Sequence, residues 1–203
     1  MNGDERVNRL NRRGLFAALL AVAAVPAFAQ FSESFNFLKA VRERDGGKVA
    51  EIVSNPSSTA INVRDSSTGE GALHILVRGR DLGWLSYLLS RGARPDLQDN
   101  QGNTPLNLAA QIGWTEGAEA LLARRASVDL PNRRGETPLI VAVQRRDAAM
   151  VRLLMSRGAD PARTDNVAGY SALDYARRDN RAGPLLRLLQ APRPARPAAG
   201  PPR

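Results

Sequence analysis

The chain has 203 residues, 43% hydrophobic and 5% aromatic, and carries a formal net charge of +9 from 29 basic and 20 acidic side chains. It has no cysteine, which excludes disulfides, thiolate metal sites and cysteine catalysis. Its single histidine, His74, excludes a zinc site built on several imidazoles. Residues 1–29 hold a net +2, residues 191–203 a net +3, and the body between them the remaining +4. A mildly basic body with a basic tail favours acidic protein surfaces or polyanions; because the ends dominate the excess, it does not point to nucleic acid. Nearly all the basic residues are Arg, and the accompanying Ala, Pro and Gly bias points to GC-rich coding and a bacterial source.

The first predicted element is a leader. Residues 1–13 are polar and net positive, Gly14–Val25 is a short apolar run, and Pro26-Ala27-Phe28-Ala29 supplies an Ala-x-Ala cleavage signal. The run is too short to span a bilayer, which needs about 20 residues. Cleavage is expected after Ala29, leaving no integral membrane segment. The Arg12-Arg13-Gly14-Leu15-Phe16 stretch is similar to a twin-arginine export signal, and an ordinary secretory leader fits as well, so the route stays open between the two. Either way the product is exported, with the periplasm as its expected place.

Next come Phe37–Glu43 and Val49–Val53, which look like a capping unit ahead of the first clear repeat, followed by Asn55-Pro56-Ser57-Ser58-Thr59, an expected bulging loop. From there the chain repeats. Gly71-Ala72-Leu73-His74, Thr104-Pro105-Leu106-Asn107 and Thr137-Pro138-Leu139-Ile140 start segments that follow one another at 33 residues. Each has a leucine pair downstream, Leu88-Leu89, Leu121-Leu122 and Leu153-Leu154, then a break at Gly92-Ala93, Arg125-Ala126 and Gly158-Ala159. Ser171-Ala172-Leu173-Asp174 opens a degraded further copy.

Local chemistry accounts for the pattern. Thr104 and Thr137 stand where a hydroxyl can cap a helix, with Pro105 and Pro138 at the first helical position, where a missing N–H costs nothing. Leu106, Ala109 and Ala110 recur at helical spacing. Gly92 and Gly158 end the second helix in a left-handed conformation, a place that Arg125 takes in the unit between them. Asp99–Gly102 and Asn132–Gly135 read as turns; the 65–71 and 165–171 turns have one extra residue and should differ in shape. Pro184 fits only near the start of a helix. The closing segment 191–203, rich in Pro and Arg, cannot build a core and is expected to be disordered.

Type, spacing and recurrence together resemble the ankyrin repeat. The resemblance implies an all-α fold: an ankyrin-repeat solenoid of stacked helix-turn-helix units with short β-turn fingers, about five units including degraded end caps. The domain would run over 30–190, with units near 31–64, 65–98, 99–131, 132–164 and 165–190. One unit buries too little alone, and stacked units share one core. The resemblance also implies that His74 is structural, bonding locally to hold its turn, and that a concave face binds a partner protein. Mapped here, that face takes Asn100, Gln101, Asn103, Arg133, Arg134, Glu136, Asn166, Val167 and Tyr170 from the turns. From the first helices it takes Arg78, Gln111, Ile112, Gln144, Arg145, Arg178 and Asp179. Trp114, at the bend between helices, reads either as packing or as contact, and is included in the partner-binding set. Trp84 reads as core. If the units stack, Arg133, Arg134, Arg145 and Arg178 form a basic stripe, so the partner should carry an acidic patch and association should weaken with salt.

No Gly-rich phosphate loop, nucleophile–base motif or metal-ligand cluster is present, and the acidic residues are not paired as a catalytic site. The chain is therefore expected to be no enzyme, to need no cofactor and to act as a monomeric protein-binding module without nucleic acid. A secreted effector that binds host proteins, and an accessory subunit of an exported enzyme, are the alternative roles.

Overall fold

The helices that start at Pro105, Pro138 and Ala172 begin where a hydroxyl accepts an orphan backbone N–H, and those that start at Gly46, Leu82, Thr115 and Ala148 follow a tight left-handed bend. The computed structural model describes residues 27–55 and 58–191. The expected leader up to 26, Pro56 and Ser57 of the expected loop, and the expected tail beyond Ala191 lie outside them. Contacts divide the chain into two compact parts, Met1–Glu33 and Ser34–Arg203. Of the first, residues 27–33 are described, as the start of a helix. The second holds the repeats.

Ten α-helices follow one another among the described residues: α1 (Ala27–Glu43), α2 (Gly46–Ser54), α3 (Ala72–Arg78), α4 (Leu82–Ser90), α5 (Pro105–Ile112), α6 (Thr115–Ala123), α7 (Pro138–Gln144), α8 (Ala148–Ser156), α9 (Ala172–Arg178) and α10 (Gly183–Gln190). A 3-10 turn at Ala60–Asn62 follows α2. The helices work as consecutive pairs, and an isolated bridge, Thr164 to Ser171, is the β-structure of the described residues. First helices pack side by side, α3 on α5, α5 on α7 and α7 on α9; second helices do likewise, α4 on α6, α6 on α8 and α8 on α10. This is an all-α repeat stack.

One core runs through it, from Phe37 and Val41 through Leu85, Leu88, Leu106 and Leu121 to Leu139, Leu154, Leu185 and Leu189. Ala109, Ala110 and Ala142 are fully buried where adjacent first helices approach, so small side chains set the spacing. Thr104 and Thr137 accept from the backbone N–H of Asn107 and Ile140. Ser171 does the same for α9, and Pro184 sits in the first turn of α10. Second helices are capped by Asp45, Asp81 and Asp147.

Two left-handed positions recur in each central pair. The bend after the first helix uses Arg80, Gly113 and Arg146; the end of the second helix uses Gly92, Arg125 and Gly158. Arginine at positive φ costs roughly 1 kcal/mol or more. At the bends, part of that cost is offset by reach. Arg44, also left-handed, stands 3.7 Å from Asp81, Arg80 donates to the Ile112 carbonyl at 2.6 Å, and Arg146 pairs with Asp179. Each therefore fastens its own pair to the next.

Candidate functional site

The fingers are the turns that enter the first helices. In each a side chain at the opening position folds back on the loop's own amides. Asp99 accepts from the N–H of Gln101 and Asn103, and Asn132 from those of Arg134 and Glu136. The two fingers with an extra residue are wider, as the extra residue requires. The Asp65 carbonyl accepts from the Gly69 N–H, whereas the Asp99 carbonyl closes its turn one residue sooner, on Gly102. Asp65 is held well below the usual carboxylate range by the Ser67 hydroxyl and the Arg42 guanidinium, helped by the Ser67 and Thr68 amides. For Asp165, burial pulls upward, but the Tyr175 hydroxyl and three loop amides outweigh it and keep the pKa low.

Consecutive fingers are stitched together by the backbone. Asn100 N–H donates to the Thr68 carbonyl, Arg133 to Gln101, and Asn166 to Arg134, all at 2.8–3.0 Å. This contact explains Gly102 twice: its φ is +78°, and an added Cβ would lie 2.6 Å from the Arg133 nitrogen.

Behind the fingertips runs a polar row. Gln111 and Asn132 both donate to Asn103 Oδ1, and Asn132 also donates to Glu136. His74 is fully buried beneath it. Its Nδ1 accepts from the Gly71 N–H at 3.2 Å, so Nε2 carries the proton and donates to the Asn103 carbonyl at 2.9 Å. Burial pushes the His74 pKa down, with nearby Arg78 in the same direction; the Asn103 carbonyl, Asp99 and Glu70 oppose it. One pair further on, Asn107 makes the equivalent bond to the Glu136 carbonyl at 3.2 Å.

The structure sorts the residues expected at the binding face. Asn100, Gln101, Arg133, Arg134, Asn166 and Val167 are exposed at fingertips, and Arg78, Gln144, Arg145 and Arg178 are exposed on first helices. Gln111, Ile112, Tyr170 and Asp179 are half-buried. Three expectations are corrected. Asn103 and Glu136 are only 3% and 7% exposed, because their side chains turn inward to satisfy the fingers rather than outward to a ligand. Trp114 is 5% exposed; its ring folds over Gly117, where an added Cβ would meet it at 2.1 Å. That glycine three residues downstream was the signal for packing.

The basic stripe is also uneven. Arg134 pairs with Glu136 and Arg78 with Glu70, and Arg178 lies over the Tyr170 ring, 4.0 Å from its centroid. Arg133 and Arg145 have no carboxylate within salt-bridge distance among the described residues. Sequence reasoning missed the left-handed arginines that fasten one pair to the next, although Arg80 and Arg146 keep the repeat spacing.

Among the described residues no group of His, Asp and Glu could hold a metal ion, no buried side-chain nitrogen or oxygen lacks a hydrogen-bond partner, and no helix is long and apolar enough to cross a membrane. An open groove of about 360 Å³ between α1 and α2 is lined by Lys39, Glu43, Lys48 and Glu51, whose charges are mixed and exposed.

Comparison with protein families matches three copies of ankyrin repeats, over residues 37–132, 73–165 and 115–191. Among curated proteins, oxysterol-binding protein homolog 1 of Saccharomyces cerevisiae is 33% identical over 85 residues, which is 40% of this chain and 7% of that protein. The likeness thus covers a segment of each.

Proposed function

This chain belongs to the ankyrin-repeat family, and on that premise we propose that it is a non-catalytic module that holds an acidic patch of a partner protein against its fingertips and first helices. Ankyrin repeats generally mediate protein–protein interaction, and proteins built from them are typically binding modules rather than catalysts. The reading adds a place and a state: a monomer in the bacterial periplasm or at the cell exterior, delivered there by the expected leader.

The observation that carries it is the pair Arg133 and Arg145. Arg133 is exposed at a fingertip and Arg145 at the C-terminal end of α7, and neither has a carboxylate within salt-bridge distance among the described residues. Around them the fingers are held rigid by backbone bonds from one to the next, so a partner would meet a preorganised surface. Arginines on such a surface give orientation and a salt-sensitive encounter rate.

The test is capture from periplasmic extract with the full chain and with an Arg133→Glu/Arg145→Glu variant. The wild-type chain is expected to retain a partner that elutes as ionic strength rises, and the variant to lose it. Equal capture by both would move the partner off this face. Fractionation of cells with and without residues 1–29 tests the location separately.

A further inference from the structure

We propose that the edge lined by the C-terminal ends of the second helices, the back edge, is a second docking surface, and that it lies on an anionic lipid bilayer. This does not depend on the partner reading above.

Arg91, Arg124 and Arg157 stand at the C-caps of α4, α6 and α8, each 33 residues from the last, and all are exposed. Arg94, Arg125 and Arg163 are exposed in the turns that follow. Because α4 packs on α6 and α6 on α8, these helix ends line one edge at intervals of about 8–10 Å.

Pairing separates this edge from six other arginines, though not from Arg133 and Arg145. Arg42, Arg44, Arg78, Arg134, Arg146 and Arg177 each hold a carboxylate. None of the six arginines on the back edge does, among the described residues. Three acids, Asp96, Asp129 and Asp160, stand among these arginines and accept backbone amides; Asp160 takes the Ala162 N–H of its own turn. Asp96 accepts from the Ser127 amide and hydroxyl, and Asp129 from the Asp160 amide, in each case across to the next pair. Glu116 and Glu119 lie in the first half of α6, away from the arginine end.

Among the described residues the edge has no exposed large hydrophobic, and its ring contact is Arg91 over the half-buried Tyr87, 5.2 Å from the centroid. The exposed large hydrophobics of the described residues are Phe35, Leu82 and Val167, and none is on it. Tight protein interfaces centre on well-packed aromatic and arginine anchors, and single-stranded nucleic acid stacks its bases on aromatic platforms. A row of exposed guanidiniums without salt bridges suits a fluid anionic surface, where each basic group adds independently.

The test is co-sedimentation of the full chain with vesicles of equimolar phosphatidylglycerol and phosphatidylcholine against phosphatidylcholine alone. The apolar run 14–25 would add the same binding to both, so their difference isolates charge. An Arg91→Gln/Arg124→Gln/Arg157→Gln variant is compared with Arg133→Gln/Arg134→Gln/Arg145→Gln, which removes the same charge from the finger side. The back-edge variant should lose the anionic preference about tenfold or more, and the finger variant should stay within about twofold of wild type. The preference should also fall as the Debye length shrinks from about 10 Å at 0.1 M salt to about 3 Å at 1 M. No preference for anionic vesicles, an equal loss in both variants, or equally strong binding to duplex DNA or polyglutamate would overturn the assignment.

Discussion

The third and fourth helix pairs share a backbone and exchange the residues that make it. The α5–α6 pair bends at Gly113, starts its second helix at Trp114 with no side-chain cap, and ends it on left-handed Arg125. The α7–α8 pair bends at left-handed Arg146, caps its second helix with Asp147, and ends it on Gly158. Positive φ thus occurs at the same two places whether or not glycine is present. The stack imposes the conformation; Arg146 offsets its cost by the ion pair with Asp179, while burial of the Trp114 ring stands in for the cap that α6 lacks.

The exchange can be broken most severely at that ring. Trp114→Ala removes a buried aromatic from a helix start that has no cap to fall back on. It should cost roughly 3–5 kcal/mol, read as a lower urea midpoint; a cost near zero would mean that the bend, not the ring, holds α6.

A second break tests the inner row, where the second, third and fourth pairs place His74, Asn107 and Ile140 at one position. Burial lowers the His74 pKa in the folded state below its unfolded value of about 6.5. The unfolded chain therefore binds the proton first. Stability from this group is fully present above about pH 6.5 and is lost as pH falls below it, by up to ~1.4 kcal/mol per pH unit. His74→Asn, which copies the third pair, should flatten that part of the profile. An unchanged slope between pH 6.5 and 5 would locate the sensitivity elsewhere.

The smallest effect is the most direct comparison. Arg125→Gly should stabilise by about 0.5–1 kcal/mol, and Gly158→Ala should destabilise by about 1 kcal/mol, because the same left-handed site gains a glycine in one pair and loses it in the other. Thermal midpoints moving the same way in both would show that the backbone at these sites adapts to the residue.

Much of the architecture was legible because it is local. Thr104-Pro105 and Thr137-Pro138 announce helix starts by their own chemistry, and the extra residue in 165–171 announces a wider finger. The binding face was less legible. A turn residue at the position of Asn103 or Glu136 can point either way: Asn103 is drawn inward by Asp99 of its own finger, Gln111 of the next helix and Asn132 of the next finger, and Glu136 by Asn132 of its own finger. Trp114 was ambiguous for the same reason: Gly117 opens the hollow that receives it, and the hollow exists only when α6 is folded. The arginine edge needed the structure too, since a sequence shows where charges fall but not which of them are already matched.

The links between pairs bear on how the stack comes apart. His74 joins the second pair to the third and Asn107 the third to the fourth, but Ile140 gives the fifth no such bond. On the back edge, Asn62, Asp96 and Asp129 each accept an amide from the next pair, and Ala162 stands where the following acceptor would be. What joins the fifth pair is packing, the finger amide of Asn166 on Arg134, the Leu173 amide on Pro161, a hydrogen bond between Tyr175 and Gln144 and the Arg146–Asp179 bridge. In a quasi-one-dimensional array each junction sets its own opening equilibrium. Amides of α9 and α10 should therefore exchange with deuterium well before those of α5 and α7, so that the molecule melts as a zipper drawn from its carboxyl end.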